Sequence, residues 1–253
     1  MKKSKAKDFV LLSASGVGFA AGEVPLDRLA PPASPPPAAT EAKPPAAAAR
    51  GFPANPAAPA PPPAKVEAGT LAELSGALEA FPSPLKTPAT RFVFSDGNPA
   101  SRVMLIGEAP GAEEDRQGLP FVGPAGQLLD KMLLAIGLDR TGCYICNVAP
   151  WRPPGNRTPT LEEVAAFRPF VMRHIQLVGP RAVLLLGGTA AKCVLDTESP
   201  IGRLRGRWHF PAEAAEVPML ATFHPSYLLR SPQYKKEAWA DLQLFQTKLA
   251  EAG

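Results

Sequence analysis

Four short apolar runs lie between residues 103 and 223, and each is bounded by glycine, proline or polar residues. They cover residues 103–107, 144–149, 182–188 and 219–223. Runs of this length with such boundaries are typical of buried strands. The pattern therefore predicts four strands between residues 103 and 223.

Apolar residues at helical spacing occupy the segments between and after these runs. They predict helices over residues 125–137, 161–178, 189–195 and 234–251. Thr160 and Glu163 fit a capping box at the start of the second helix. Strands that alternate with helices predict an α/β fold, a three-layer sandwich around a central four-stranded parallel sheet.

The first quarter of the chain has a different composition. Of the 32 prolines, 14 lie between Pro25 and Pro63, where they are mixed with alanine. Such a segment cannot bury enough apolar surface to offset its chain entropy. We therefore predict a disordered Pro/Ala-rich arm over residues 1–67 and one folded domain over residues 68–253.

The net charge of +4 says little about a partner, because the arm carries most of it. Residues 1–64 hold seven Lys or Arg and four Asp or Glu, which leaves the remainder close to neutral. Any argument for a polyanionic partner must therefore rest on local features.

The amino terminus resembles a secretion signal, with four lysines followed by an apolar stretch. Asp8 interrupts the junction, and serines and glycines dilute the apolar part, so we do not expect a signal peptide. No stretch reaches the ~18 apolar residues of a membrane span. An odd count of three cysteines fits a reducing compartment, so a cytoplasmic protein without a membrane partner is expected.

Cys143 and Cys146 have the spacing of a C-x-x-C redox pair. They lie on a predicted strand, where residues three apart point to opposite faces. Two buried structural thiols are therefore the expected arrangement. The histidines His174, His209 and His224 lack the spacing of metal ligands, and no metal site is predicted.

Polar motifs stand directly at the ends of three predicted strands. Gly107, Glu108 and Ala109 begin a tight turn, Asn147 ends the next strand, and His224 follows the last. Open α/β sheets bind ligands at the carboxyl ends of their strands. We therefore expect a Glu, an Asn and a His to meet in one site.

Each motif also has a plainer explanation when taken alone. The glycine-rich turn is a common connection between strand and helix. Phe121, which lies between glycines, either anchors a loop or stacks on a flat ligand. The amide of Asn147 can read the edge of a heterocycle, whereas His224 could be a satisfied structural histidine. Only their combination favours a binding site.

Basic and apolar residues lie near the histidine. Arg203, Arg205 and Arg230 form either a solvated face or a set of phosphate contacts. The apolar residues after Tyr227 suggest a wedge that enters a duplex.

Together the motifs resemble the uracil-DNA glycosylase superfamily, and family 4 in particular. The matching pieces are residues 107–126, 144–160, 184–192 and 223–230, within a resemblance that covers roughly residues 88–249. The resemblance implies an enzyme that flips uracil out of DNA and hydrolyses its N-glycosidic bond, leaving an abasic site for base excision repair. Its partner is expected to be uracil-containing DNA, and the protein is expected to act as a monomer.

The resemblance also implies roles for single residues. Three would be catalytic: Glu108 in the turn that places the attacking water, Asn147 at the uracil edge and His224 at the O2 oxygen. Gly107, Ala109, Phe121 and Ser226 would bind the substrate, with Phe121 stacked on uracil and Ser226 on a phosphate. Arg203, Arg205, Leu228 and Arg230 would contact DNA, with Leu228 filling the gap left by the flipped base.

One departure from the family concerns its cofactor. Members of family 4 hold a four-iron, four-sulfur cluster with four cysteines. The corresponding positions here look like Ala80, Ser83, Trp151 and Phe167, and none of these can ligate iron. We therefore predict no cluster and no other cofactor, with apolar packing by Trp151 and Phe167 in its place.

Two other functions fit part of the pattern. One is a non-catalytic or weakly active binder of uracil-containing or damaged DNA that kept the pocket after losing the cluster. The other is a related enzyme that acts on a different deaminated base. The joint presence of Glu108, Asn147 and His224 favours the uracil enzyme, because a binder would not need the histidine.

Overall fold

The computed structural model describes residues 66–251. The predicted arm over residues 1–67 therefore lies outside the described residues, apart from its last two. Val66 and Ala68 are buried, and the Arg173 side chain donates a hydrogen bond of 2.7 Å to the Ala68 carbonyl. Contacts with the core thus begin slightly before the predicted domain boundary.

A mixed sheet of six strands lies at the centre of the described residues, in the order β1-β3-β2-β4-β6-β5. The strands are β1 (Ser95–Gly97), β2 (Val103–Gly107), β3 (Tyr144–Asn147), β4 (Ala182–Leu186), β5 (Trp208–His209) and β6 (Met219–Thr222). The four strands β3, β2, β4 and β6 are parallel. β1 and β5 pair antiparallel with β3 and β6 at the two edges.

The predicted sheet of four parallel strands was therefore too small. Its four strands are present and parallel, and the structure adds one antiparallel strand at each edge. β1 consists of Ser-Asp-Gly and β5 of Trp-His, so neither has the apolar run from which the other strands were predicted. Their pairing with a neighbouring strand, rather than their own composition, makes them extended.

The sheet separates two hydrophobic cores. Successive side chains of a strand point to opposite faces, and all five residues of β2 are buried. Met104 and Ile106 pack in one core, and Val103 and Leu105 pack in the other. Strands buried on both faces in this way explain the continuous apolar runs in the sequence.

Helices cover both faces of the sheet, which confirms the predicted three-layer α/β sandwich. The helices are α1 (Leu71–Ala80), α2 (Ala112–Gln117), α3 (Pro124–Leu134), α4 (Leu161–Val178), α5 (Gly188–Leu195), α6 (Ile201–Leu204), α7 (Pro225–Arg230) and α8 (Lys235–Glu251). α1, α4 and α5 contribute to the core around Met104. α3, α7 and α8 contribute to the core around Leu105. Within residues 66–251, no helix has both the length and the apolar character that a membrane crossing requires.

The capping box predicted for α4 is present. The Thr160 hydroxyl accepts from the Glu163 backbone N–H at 3.2 Å, and the Glu163 carboxylate accepts from the Thr160 N–H at 2.8 Å. Gly179 ends the helix with φ 54°, the left-handed conformation that glycine adopts most easily. α4 is thus fixed at both ends by local sequence.

Cys143 and Cys146 are buried and unpaired, as predicted, and Cys193 is buried and unpaired as well. Cys143 packs in the core around Leu105, and Cys146 packs in the core around Met104. Burial raises the pKa of the Cys146 thiol to about 12. A thiol in that condition is a poor nucleophile, which supports a structural role.

Candidate functional site

The carboxyl ends of β2, β3 and β6 open into one cavity of about 600 Å³. The predicted site residues that line it are Glu108, Ala109, Phe121, Asn147, His224, Ser226 and Arg230. The three polar motifs that are far apart in the sequence therefore meet at the same edge of the sheet.

Gly107 is the last residue of β2 and lies behind the wall of the cavity. A Cβ at this position would lie 2.4 Å from both Asn147 Oδ1 and the Cζ atom of Phe121. Both distances are far below van der Waals contact. Glycine is therefore required here because the amide and the aromatic ring occupy the space of a side chain.

Glu108 follows Gly107 and is held by a residue from another strand-to-helix turn. The Thr189 hydroxyl donates a hydrogen bond of 2.7 Å to Glu108 Oε2. Thr189 is the second residue of α5 and follows Gly187 and Gly188, the glycine pair after β4. The glycine pair was visible in the sequence, but nothing in the pattern indicated its contact with Glu108.

Asp115, a second acidic residue near the glycine-rich turn, is less suited than Glu108 to orient a water molecule. Its carboxylate accepts from the Arg91 backbone N–H at 2.7 Å, and Asp115 is not among the residues that line the cavity. Glu108 is therefore the better placed of the two carboxylates.

Glu114 connects the two loops on this side of the cavity. One carboxylate oxygen accepts from the Gly111 N–H at 3.1 Å, and the other accepts from the Gly123 N–H at 2.9 Å. The side chain is only 8% exposed. These two hydrogen bonds and its burial make Glu114 part of the loop structure rather than a solvated surface residue.

Phe121 presents its ring to the cavity from a strained backbone. The residue has φ 55°, in the left-handed region that costs a residue with a Cβ about 1–2 kcal/mol. Its ring centroid lies 5.5 Å from that of His224, with 30° between the planes. The ring is buried rather than exposed on a loop surface.

Asn147 ends β3, and its amide faces the same space. Asn147 Oδ1 is buried and has no hydrogen-bond partner within the described residues. A buried acceptor without a partner costs about 1–3 kcal/mol. A ligand with a suitably placed N–H would satisfy this atom.

His224 caps the start of α7 through its Nδ1 atom, which accepts from the Ser226 backbone N–H at 3.1 Å. The Ser226 hydroxyl lies 2.8 Å from the same nitrogen. Burial, and to a smaller extent the charge of Arg230, lowers the pKa of His224 to about 4. The ring is therefore neutral at pH 7, and because Nδ1 accepts, its proton is on Nε2.

Three of the four predicted DNA contacts lie outside the cavity. Leu228 is 1% exposed and packs in the core, whereas its neighbour Leu229 is 44% exposed. Arg205 is bound to the buried Asp241 at 2.7 Å and does not line the cavity. Successive residues of a helix point in different directions. The sequence alone therefore did not show which of Leu228 and Leu229 faces outward. Arg203 is exposed but also outside the cavity.

A loop after β3 supplies residues that sequence reasoning did not assign to the site. Pro153, Asn156, Arg157 and Thr158 line the cavity. Arg157 donates to both carboxylate oxygens of Glu163, at 2.8 and 2.6 Å, and Glu163 is 3% exposed. This bidentate pair holds the proline-rich loop against α4.

The four positions that were predicted to correspond to the cluster ligands of family 4 carry side chains that do not fit an iron-sulfur cluster. Trp151 and Phe167 are fully buried, and their ring centroids lie 6.1 Å apart. Phe81 and Phe92 pack against them at 6.0 and 5.5 Å. None of the four side chains is a thiolate. Within residues 66–251, no group of three or more His, Cys, Asp or Glu is placed to hold a metal.

Comparisons with known proteins identify the family of the chain. The family model of the uracil DNA glycosylase superfamily matches residues 94–243. A type-4 uracil-DNA glycosylase of Thermotoga maritima is 43% identical over 150 residues, which cover 58% of this chain and 77% of the relative. Type-4 uracil-DNA glycosylases of Pyrobaculum aerophilum and Archaeoglobus fulgidus are both 38% identical. Those two matches cover 64% and 61% of this chain, and 85% and 80% of the relatives. The chain therefore belongs to the uracil-DNA glycosylase superfamily.

Proposed function

We propose that the protein is a uracil-DNA glycosylase, which extrudes uracil from DNA and hydrolyses its N-glycosidic bond to leave an abasic site for base excision repair. The similar type-4 proteins carry this activity in their names. The observation that carries the proposal is the convergence of Glu108, Phe121, Asn147 and His224 on one cavity. Their chemistry matches each step that uracil release requires.

The first step is access to the base. A base stacked in a duplex is out of reach, so the nucleotide must flip at a cost of a few kcal/mol. A cavity of about 600 Å³ at the sheet edge suits a single extruded nucleotide. The buried ring of Phe121 offers a flat surface on which the uracil stacks.

The second step is recognition of uracil. The unpartnered Oδ1 of Asn147 accepts the N3–H of uracil, and the amide N–H can donate to O4. Cytosine has an unprotonated N3 and an amino group at C4. It therefore lacks both the N–H that Oδ1 accepts and the oxygen to which the amide N–H donates, so both contacts fail. Sites that bind the polar edge of a base in this way strongly reject a base with a different edge, because binding it would leave buried polar groups unpaired.

The third step is bond cleavage. As the bond between N1 and C1′ breaks, its electron pair moves to the base, and negative charge grows at O2. The neutral His224 ring donates from Nε2 toward that oxygen, which stabilises the departing anion. Removal of such a donor typically lowers the rate by about 100- to 1000-fold.

Water completes the reaction. Its oxygen bonds to C1′, one proton goes to the Glu108 carboxylate, and the uracil anion takes a proton from solvent. The hydrogen bond from Thr189 holds Glu108 in place for this role. Glu108 then returns its proton to solvent, so the net change is the addition of one water molecule.

Incubation with an oligonucleotide that contains one uracil, followed by alkali, tests the proposal. We expect strand breaks at the uracil position with the native protein and about 100- to 1000-fold slower release by His224→Ala. The matched variant His209→Ala, outside the cavity, should retain the native rate. Tight binding by native protein and His224→Ala without base release by either would identify a DNA binder instead. Release of another deaminated base in preference to uracil would reassign the substrate.

We also propose that the protein works without a cofactor. The aromatic contacts of Trp151 and Phe167 support this, because they fill the positions from which the family's ligands would extend. Metal analysis of protein purified without oxygen is expected to find less than one iron atom per chain. A brown preparation with about four iron atoms per chain would contradict the proposal.

The remaining DNA contacts are inferred from which side chains are exposed to solvent. We propose that Arg203 and Arg230, which are exposed, contact phosphates, and that Leu229 rather than Leu228 enters the duplex.

Three unpaired thiols support a cytoplasmic protein. We propose a monomer, which gel filtration with light scattering would test.

A further inference from the structure

The ring of Phe121 depends on a backbone conformation that must be enforced. Its φ of 55° is one that a residue with a Cβ keeps only where the surroundings fix it. The ring is nevertheless 5% exposed and stacks on His224. Some group outside the cavity must therefore hold the peptide in place.

Arg140 makes the contacts that do this. It lies in the turn Arg140–Gly142 that precedes β3 and does not line the cavity. Its Nη2 atom donates to the Phe121 carbonyl, and its Nη1 atom donates to the Pro120 carbonyl at 3.1 Å. The guanidinium thus binds two successive carbonyls of the strained segment.

Two carboxylates fix the guanidinium itself. Asp96 on β1 accepts from Nη1 at 2.6 Å, and Asp130 on α3 accepts from Nε at 2.9 Å. Arg140 is therefore held between an edge strand and a helix. The planar arrangement of its donors allows all four contacts at once, which the single ammonium group of lysine cannot reproduce.

Gly126 leaves room for the carbonyl that Arg140 binds. A Cβ at Gly126 would lie 1.6 Å from the Phe121 carbonyl oxygen. The first turns of α3 therefore pack directly on this peptide group. The Phe121 carbonyl is thus confined between Gly126 and Arg140. Its fixed orientation fixes the backbone from which the Phe121 ring extends.

We infer that Arg140 is a positioning residue for Phe121, and that its guanidinium sets the stacking ring at the height and angle at which uracil binds. The inference rests on the proposed function, since it assigns a purpose to the ring. Arg140 acts on base binding and on the rate of uracil release through Phe121 alone.

The test is a double-mutant cycle of Arg140→Gln and Phe121→Leu. The single-turnover rate of uracil release and the inhibition constant of free uracil are measured for each protein, with the free energy of unfolding as a check on folding. Arg173→Gln is the matched control, because its guanidinium also donates twice to a carbonyl, that of Ala68, at 2.7 and 2.5 Å. Arg173 packs on the other face of the sheet, on α4.

We expect Arg140→Gln to slow release and weaken uracil inhibition by about 10- to 100-fold, the cost of a small misplacement. In the Phe121→Leu background the same substitution should add less than about twofold, because the two residues act as one unit. Arg140→Lys should recover part of the loss, and it replaces Arg140→Gln if that variant does not fold. Arg173→Gln should change both quantities by less than about twofold.

Equal effects of Arg140→Gln in both backgrounds would overturn the inference, because they would show a role independent of the ring. If the native protein releases no uracil, the proposed function fails, and hydrogen exchange still tests Arg140. Amides of residues 121–123 are expected to exchange about tenfold faster in Arg140→Gln than in native protein. Unchanged exchange would refute the positioning role by itself.

Discussion

Gly107 is the residue at which the close packing of the site is clearest. Its missing side chain is replaced by the Asn147 amide and the Phe121 ring, both 2.4 Å from where a Cβ would lie. A methyl group here must displace one or both. The residue therefore determines the distance between the base-reading amide and the stacking ring.

Gly107→Ala is expected to lower kcat/KM for a uracil oligonucleotide by about 100-fold, because it shifts these groups by a fraction of an ångström or more. Steady-state kinetics with a fluorescent oligonucleotide would measure this. Gly76→Ala serves as the control, since a Cβ there meets nothing within 4 Å. That control should keep native activity and gain about 0.5–1 kcal/mol of stability. Native kinetics in Gly107→Ala would contradict the described packing.

The sequence indicated most residues around the cavity, because polar side chains at the ends of apolar strands are conspicuous. Glu108, Asn147 and His224 were predicted to meet, and they line one cavity. Arg140 and Thr189 were not predicted. Both act through contacts with residues more than fifteen positions away, and such contacts leave no periodic or compositional signal in a single sequence.

At the level of elements, α7 shows where a pattern leaves two choices. Tyr227, Leu228 and Leu229 form an apolar stretch in the sequence, and only the fold determines which side chains face the core. Leu228 is buried beside α3 and α8, and Leu229 is exposed. The two leucines are therefore expected to affect different properties.

Leu229→Ala is expected to reduce activity on double-stranded DNA about tenfold more than on single-stranded DNA, because only a duplex leaves a gap to fill when a base flips. Its free energy of unfolding should stay within about 0.5 kcal/mol of the native value. Leu228→Ala should instead lose about 2–5 kcal/mol of stability, as buried leucines do. Urea unfolding and parallel assays on both substrates would test this, and equal losses on the two substrates would argue against the wedge.

The major strands and helices were predictable because their apolar residues repeat at strand or helix spacing. The edge strands β1 and β5 were missed, since three and two residues are too few for any period. α1 was not predicted either, although Leu71, Leu74 and Leu78 follow helical spacing in its sequence. α2 was missed because its sequence Ala-Glu-Glu-Asp-Arg-Gln has no apolar face. Such elements are formed by their neighbours rather than by their own composition.

For the whole molecule, the buried histidine His174 makes stability depend on pH. Burial lowers the pKa of His174 to about 4, and its Nε2 atom lies 2.9 Å from the Tyr144 hydroxyl. The ordinary value is 6.5, so the unfolded chain binds more protons than the folded protein between pH 6.5 and 4. The free energy of unfolding therefore falls as the pH is lowered through this range.

His174→Gln should remove this contribution while keeping a hydrogen bond to Tyr144. Between about pH 7 and pH 4, the variant is expected to lose about 3 kcal/mol less stability than the native protein. Urea unfolding at several pH values would measure the difference. Burial also lowers the pKa of His224 to about 4. Its contribution to stability has the same sign in both proteins, so it cancels in the comparison. Parallel pH curves for the two proteins would show that His174 is not the source.

The aromatic contacts of Trp151 and Phe167 have a consequence for how the protein is supplied in a cell. A repair enzyme built around an iron cluster depends on metal uptake and on assembly factors, and oxidants can inactivate it. At the positions proposed to correspond to cluster ligands, this chain has indole and phenyl rings that pack together and need no metal. The proposal that the protein works without a cofactor therefore predicts that cells starved of iron, or under oxidative stress, keep this activity at full level.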